Sequence, residues 1–326
     1  MLKRRPLLLA AIAAPALVRI SPTSAQAAWP AKPIRYIMPF APGGGTDTSS
    51  RLIADQLSKL LGVQVVVENK GGAGGNIGTT ELARAAPDGY TIGLISVASH
   101  TLNPMLYAKM PYDADKDIVP VSRIALLSNL LGVYPKLPVS NVAELIALCK
   151  KEPGKYAFAS SGPGSSLHLS GELFKAMAGV DIVHVPYKGA GPAYPDLMSG
   201  VVHMMFANIS SMLGQVRGNK IKGLAVTSAD RSKAIPELPT IGETLPGYVA
   251  TSWYGIGVPA GTPEPIVAKL ESAITTALAK PEIIERFTGD LGMDMPPPGR
   301  NGLQAFIDQD RKLWAPAVKA SGVRFE

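Results

Sequence analysis

The chain has 326 residues, of which 46% are hydrophobic, and a formal net charge of +7 at pH 7. Its single cysteine, Cys149, excludes an internal disulfide, and no basic stripe with interleaved aromatic residues supports a nucleic-acid role. The length is large for one α/β core and suits two lobes, and beyond residue 27 no apolar stretch reaches the roughly 18 residues that a membrane span needs.

The first 27 residues predict a secretory signal. Residues 3–5 are basic, residues 7–18 form an apolar run, and residues 25–27 fit the small-x-small pattern of a signal-peptidase site. The pair Arg4-Arg5 also matches a twin-arginine signal in part, so the export route stays open. We expect cleavage near Ala27 and a periplasmic mature chain. Its net charge is about +3, because the signal holds four basic residues and no acids.

The first part of the mature chain alternates buried strands with amphipathic helices. The predicted elements are a strand at 34–40, a helix at 46–61, a strand at 63–68, a helix at 76–85 and a strand at 90–97. Residues 121–134 are long, apolar and extended, and they could carry the chain into a second lobe.

A second α/β series follows. Asn141 and Glu144 predict a capping box for a helix ending at residue 151. The next predicted elements are strands at 156–161, 181–187, 201–207 and 222–227, and helices at 166–179, 193–199 and 209–217.

The chain then returns to the first lobe along an extended segment, residues 251–258. Thr262 is predicted to cap a helix through residue 279, with Pro263 at its first position, and a last helix spans 301–320. Two crossovers predict an α/β fold of two lobes with a hinged central cleft. Lobe 1 would comprise residues 28–125 and 250–326, and lobe 2 residues 126–249.

Three turns that follow strands are rich in glycine and small hydroxyl residues: residues 39–47, 160–168 and 186–191. Glycine lets the backbone approach a ligand closely, and the helix that follows presents unpaired N–H groups with partial positive charge, so such a turn can bind an anion. The alternative is that Asp47 or Thr46, and Ser165 or Ser166, simply cap their helices.

Enzyme motifs are missing from the sequence. The glycines of residues 71–78 depart from a dinucleotide fingerprint at Ile77, and neither a P-loop, a GxSxG elbow nor an HExxH motif occurs. His168 and Glu172 share a helix face but lack a third metal ligand, and Ser165 with His168 lacks an orienting acid. His184 and His203 lie in apolar strands as core residues. We expect no catalytic residue, no cofactor and no metal.

These turns belong to a set of motifs that spans the mature chain and resembles one family. The motifs are Trp29-Pro30 to Ile34, Pro39-Phe40 with Gly43, Gly44 and Asp47, residues 67–74, Pro87-Asp88-Gly89-Tyr90-Thr91, Asn103-Pro104, residues 161–169, Val185-Pro186-Tyr187-Lys188-Gly189, and Trp253-Tyr254-Gly255. In this order and spacing they are similar to the solute receptors of tripartite tricarboxylate transporters, often called Bug receptors.

The resemblance implies a type II-like periplasmic binding protein, a Venus-flytrap that closes on a carboxylate: a di- or tricarboxylate, an acidic amino acid or an aromatic acid. It also implies delivery to the membrane subunits of such a transporter, by a receptor that we expect to be a monomer without a nucleic-acid partner. Presentation to a sensor kinase is the alternative, and a periplasmic hydrolase a weaker one. By position, the ligand-binding residues would be Phe40, Gly43, Gly44, Asp47, Ser99, His100, Asn103, Ser161, Gly162, Gly164, Ser165, Tyr187, Asn208 and Trp253.

Overall fold

The computed structural model describes residues 29–326, so the predicted signal segment lies outside the described residues. Within them the strands are β1 (Ile34–Met38), β2 (Val65–Asn69), β3 (Thr91–Ser96), β4 (Ile118–Val133), β5 (Ala157–Ser160), β6 (Val183–Pro186), β7 (Met204–Asn208), β8 (Lys222–Val226) and β9 (Thr251–Pro259). The helices are α1 (Gly45–Leu61), α2 (Asn76–Ala83), α3 (Asn103–Leu106), α4 (Val142–Lys151), α5 (Ser166–Ala178), α6 (Tyr194–Ser199), α7 (Ile209–Arg217), α8 (Glu264–Leu278), α9 (Pro281–Glu285) and α10 (Leu303–Ser321).

The strands form one curled mixed sheet in the order β2-β1-β3-β9-β4-β7-β5-β6, with β8 also paired to β4. β1 runs parallel to β2 and β3, and β5 runs parallel to β6 and β7. β9 and β4 join these two parallel groups through antiparallel pairing. Each parallel group with its helices makes one lobe, so the chain has a two-lobed α/β fold.

β4 belongs to both lobes, because its partners change along its length. It pairs with β9 from Ile118 to Ser128, and with β7 and β8 from Asn129 to Val133. Thr227, just beyond β8, accepts the N–H of Asn129 through its hydroxyl and donates to the carbonyl of Ala250, so the crossing segments are tied at this point. The predicted lobe boundaries, at 125/126 and 249/250, fall close to this change and stay a prediction.

The burial pattern explains the elements. All six residues of β3 are buried, as expected for a parallel strand covered on both faces. α1 is amphipathic, with Ile53 and Leu57 fully buried against the sheet. Trp253 and Trp314 are among the largest fully buried side chains, and α10, which carries Trp314, packs against α5.

Most of the predicted elements are present, with ends shifted by up to three residues, and local capping was predicted less well. Asn141 does cap α4, since its side chain accepts the N–H of Glu144, but Glu144 turns back to the N–H of Ser140 rather than to that of Asn141. The prediction that Thr262 caps α8 was wrong: Pro263 is the N-cap residue, and the Thr262 hydroxyl bonds to the carbonyl of Pro259.

Among residues 29–326 there is no helix with the length and apolarity of a membrane span.

Candidate functional site

A small cavity lies between the lobes at the carboxyl ends of β1, β3, β5 and β7. In α/β folds this edge is where ligands bind, because turns and helix starts meet there. Its lining residues are Phe40, Gly45, Thr46, Ser96, Val97, Ala98, Ser161, Ser165, Ser166, Leu167, Ala190, Asn208, Ser211, Ser252 and Tyr254. None of these side chains is charged; eight carry a hydroxyl group, and Asn208 carries an amide.

α1 brings its N-terminus to the cavity from lobe 1. The N–H groups of Gly45 and Thr46, at its first two positions, have no hydrogen-bond partner among the described residues. The N-cap residue Gly44 has no side chain that could cap these groups. A helix N-terminus with free N–H groups carries partial positive charge and favours an anion.

α5 brings a second N-terminus from lobe 2. Ser165 is the N-cap residue, and its hydroxyl accepts the N–H of His168. The N–H groups of Ser166 and Leu167 make no hydrogen bond within the described part of the chain. Two helix starts from opposite lobes therefore offer unpaired donors to the same uncharged space.

β3 and β9 contribute the remaining polar groups from lobe 1. The hydroxyl of Ser96, at the end of β3, is buried and has no partner in residues 29–326. The hydroxyl of Tyr254, on β9, donates to the Oδ1 atom of Asn208 in lobe 2 at 2.7 Å. Burial raises the pKa of Tyr254 above its usual range, so this hydroxyl keeps its proton and stays a donor.

The lobes are in direct contact around the cavity, which has a volume of only about 20 Å³, space for about one water molecule. The Ala41 N–H donates to the carbonyl of Lys188 across the seam at 3.2 Å. At Gly74 a Cβ atom would lie 1.9 Å from the carbonyl oxygen of Pro163, so the lobes meet through glycine backbone. This is a closed arrangement, and a ligand has to enter while the lobes are apart.

Of the residues predicted to bind ligand, the structure places Phe40, Ser161, Ser165 and Asn208 in the cavity lining. The others lie outside it: Gly43, Gly44, Asp47, Ser99, His100, Asn103, Gly162, Gly164, Tyr187 and Trp253.

The predicted residues of lobe 1 outside the cavity have structural partners. The Asp47 carboxylate accepts from Gly43 N–H, Arg51 and Asn69. Burial opposes the charge of Asp47, but these bonds outweigh it, and the pKa of Asp47 is lowered. The hydroxyl of Ser99 accepts the N–H of Ser96 and lies 2.9 Å from Nδ1 of His100, so both side chains point into lobe 1.

The predicted aromatic and amide residues also make contacts of their own. Trp253 donates its indole N–H to the buried carboxylate of Asp310. Asn103 donates to Asn76, and its Oδ1 is buried without a partner beside Gly164 at the lobe seam. Tyr187 lies on the outer face of the seam, with its hydroxyl on Asp196.

Several lining residues were missing from the predicted set. They are Ser96, Val97, Ala98, Ser211 and Ser252. Gly45, Thr46, Ser166, Leu167 and Ala190 also line the cavity and lie in the three predicted anion-binding turns, and the resemblance implied that Tyr254 would help to shape the pocket. The first N–H groups of a helix follow its N-cap residue, so Ser166 follows from the expected cap Ser165. Gly45 does not follow in this way, because the expected cap of α1, Asp47 or Thr46, was wrong: its N-cap residue is Gly44. Ser252 lies inside a strand and has no comparable sequence signal.

The described residues contain no cluster of three or more His, Cys, Asp or Glu side chains that could hold a metal ion. His168 has Glu172 nearby, with 3.6 Å between Nε2 and Oε1, and no third ligand among them.

Comparison with known proteins assigns the family. The family model for the tripartite tricarboxylate transporter family receptor matches residues 49–323. Protein BugT of Bordetella pertussis is 39% identical over 311 residues, covering 94% of each chain.

Two similar solved structures contain carboxylates. R. palustris Rpa4515 with adipate has a TM-score of 0.87 and 36% identity, covering 91% of this chain and 100% of that one. MatC from Rhodopseudomonas palustris with bound malate has a TM-score of 0.84 and 33% identity, covering 89% and 100%. The chain therefore belongs to the receptor family of tripartite tricarboxylate transporters, whose members are periplasmic solute-binding receptors and not enzymes.

Proposed function

We propose that this chain captures a small carboxylate between its lobes and delivers it to the membrane subunits of a tripartite tricarboxylate transporter, after export directed by residues 1–27. One observation carries the ligand class: the free N-termini of α1 and α5, one from each lobe, face the same cavity. The adipate and malate of the two similar structures support the same class.

Uncharged donors suffice for useful affinity. A hydrogen bond to a charged group contributes about 1.5–3 kcal/mol, and a helix N-terminus about 0.3–2 kcal/mol. Four or five such contacts give a gross binding energy of about 8–15 kcal/mol. The loss of ligand freedom and the removal of water from polar groups subtract several kcal/mol from this value. A micromolar dissociation constant corresponds to about −8 kcal/mol, so no salt bridge is needed.

Closure follows from the same geometry. Gly45 and Thr46 belong to lobe 1, and Ser166 and Leu167 to lobe 2, so only closed lobes can donate to one carboxylate together. The ligand binds the closed state better than the open one and shifts the population toward it. Closing also removes water from the charge, which strengthens each hydrogen bond.

The ligand class is tested by titrating the mature chain with malate, adipate, citrate, glutamate and benzoate, with glucose and putrescine, which carry no carboxylate, as controls. A ligand at a hundredfold excess over its dissociation constant stabilises the folded protein by about 2.7 kcal/mol, which a thermal-shift assay detects. Stabilisation by glucose or putrescine alone would overturn the proposal.

The role of the α5 N-terminus is tested at Ser166. The variant Ser166→Pro removes one backbone N–H and keeps the helix, because proline is well tolerated at the first helical position and Ser165 is already extended. Ser166→Ala is the matched control, since it removes the hydroxyl and keeps the N–H. We expect the proline variant to bind at least about tenfold more weakly than the alanine variant. Equal affinities would show that this N–H does not contact the ligand.

Delivery is tested separately, by uptake of the identified ligand in cells that lack the receptor or the transporter's membrane subunits. Loss of uptake in both strains supports delivery. Normal uptake without the membrane subunits, together with loss of a transcriptional response to the ligand, would favour presentation to a sensor kinase instead.

A further inference from the structure

The turn that leads into α5 has an unusual backbone. Gly162 has φ +121° and Gly164 has φ +78°, both in the region that L side chains rarely adopt. The turn aims the first N–H groups of α5 at the cavity, so its shape determines where these donors lie. A strained turn keeps one shape only when its surroundings fix it.

Two histidines support the two glycine N–H groups, one directly and one through a serine. Gly164 donates to Nδ1 of His168 at 3.3 Å. Gly162 donates to the hydroxyl of Ser160 at 3.1 Å, and this hydroxyl lies 2.7 Å from Nε2 of His184 and 3.4 Å from the Gly162 carbonyl oxygen. His168 therefore binds its glycine directly, and His184 fixes the position of the hydroxyl that binds the other glycine.

The rings of His168 and His184 support each other. They stack with centroids 3.9 Å apart, and Phe158 stacks on His184 at 4.9 Å. His168 is 4% exposed. Burial, then the neighbouring His168 and Lys175, lower the pKa of His184 to about 3, so it stays neutral above that pH. The charged groups nearby are Glu172, 3.6 Å from Nε2 of His168, and Lys175, which lies 3.8 Å from Asp181.

We propose that His168 and His184 are positioning residues for ligand binding: His168 accepts the Gly164 N–H, His184 holds the Ser160 hydroxyl that accepts the Gly162 N–H, and together they fix the turn so that only the α5 N–H groups face the carboxylate. Neither histidine lines the cavity, and neither do the two glycines, whereas Ser166 and Leu167 do. This inference rests on the proposed function, because it assigns the pair a part in carboxylate binding.

Paired substitutions separate hydrogen bonding from packing. His168→Leu and His184→Leu remove the hydrogen-bonding ring nitrogens, while His168→Asn and His184→Gln can place an amide group, which both donates and accepts, where Nδ1 and Nε2 now lie. With malate and adipate as probes in calorimetric titrations, we expect the leucine variants to bind about tenfold more weakly and the amide variants within about threefold of the unmodified chain. Equal affinities in the leucine and unmodified proteins would overturn the proposal.

His203→Leu is the matched control. His203 also accepts a backbone N–H through Nδ1, that of Ala157 at 3.1 Å, but at the opposite end of β5. We expect this variant to lose stability and keep its affinity. If it weakens binding as much as His168→Leu does, the histidine pair acts through general stability and the proposal fails.

Amide hydrogen exchange at Gly162 and Gly164 gives a second readout that needs no ligand. We expect exchange at these two amides to accelerate at least about tenfold in the leucine variants, to be restored in the amide variants, and to stay unchanged in His203→Leu. Unchanged exchange in the leucine variants would refute the positioning role. If exchange responds as expected but the unmodified chain binds no carboxylate, the proposed function fails and the role in ligand binding fails with it.

Discussion

The hydroxyl of Tyr254 in lobe 1 donates to Oδ1 of Asn208 in lobe 2 at 2.7 Å, across the space where a ligand would lie. The Asn208 amide nitrogen in turn donates to Asn129, and Asn129 donates to Ser170 on α5. This chain of four side chains links the cavity to the point where β4 changes lobes. Its Tyr254–Asn208 hydrogen bond joins the two lobes directly.

Removing the Tyr254–Asn208 hydrogen bond should favour the open form when no ligand is added. We expect Tyr254→Phe to shift the ratio of open to closed molecules by about fivefold, because one hydrogen bond contributes about 1 kcal/mol. Small-angle scattering should show a larger radius of gyration without ligand and a compaction when malate is added. A radius identical to that of the unmodified chain in both conditions would show that other contacts hold the lobes together.

Adding a methyl group at the seam should prevent closure. In Gly74→Ala the new Cβ would lie 1.9 Å from the Pro163 carbonyl oxygen of the other lobe. We expect affinity for the ligand to fall at least about tenfold and the ligand-induced compaction to disappear. Calorimetric titration and scattering measure the two effects.

Gly62→Ala is the control for this variant. Gly62 has φ +73°, comparable with the +62° of Gly74, but nothing lies within 4 Å of its notional Cβ. Both variants place an L side chain at positive φ and are destabilised by it, but only Gly74→Ala also brings a Cβ atom against the Pro163 carbonyl oxygen. Equal affinities in the two variants would contradict the role of Gly74 in closure.

The sequence was informative about the fold for a physical reason. Buried parallel strands such as β3 and amphipathic helices such as α1 follow from periodicity, which is local. The donors that are free to bind a ligand in the cavity are those without a hydrogen-bond partner elsewhere in the chain. Such partners can be distant in the sequence, so local patterns do not reveal them. Gly162 and Gly164 looked like ligand donors, but His168 and Ser160 occupy their N–H groups. Ser252 reaches the cavity only because β9 runs between the lobes.

The buried His100 should make the protein less stable in acid. Burial, followed by the charge of Arg311, lowers the pKa of His100 to about 3 in the folded chain, whereas an unfolded histidine titrates near 6.5. Between these two pKa values His100 is protonated in the unfolded state but not in the folded state. The free energy of unfolding therefore falls as the pH falls from 6.5 toward 3. When the pH is lowered from 7 to 5, we expect the free energy of unfolding of His100→Asn to fall by about 2 kcal/mol less than that of the unmodified chain. Urea unfolding at the two pH values measures this difference. Parallel pH curves for the two proteins would refute this assignment.

The junction of the crossing segments should be sensitive to one hydroxyl. Thr227 is fully buried, and its hydroxyl accepts the Asn129 N–H at 2.8 Å and donates to the Ala250 carbonyl. Thr227→Val keeps the shape and leaves both backbone groups without this partner, which costs about 1–3 kcal/mol in the free energy of unfolding by urea. Thr276→Val, on the exposed side of α8, loses a hydroxyl bonded within its own helix and should change stability by less than about 0.5 kcal/mol.

Because Thr227 links the segments about which the lobes move, Thr227→Val should also bind the ligand more weakly than the unmodified chain. A loss of stability with unchanged affinity would place the hinge elsewhere along β4 and β9.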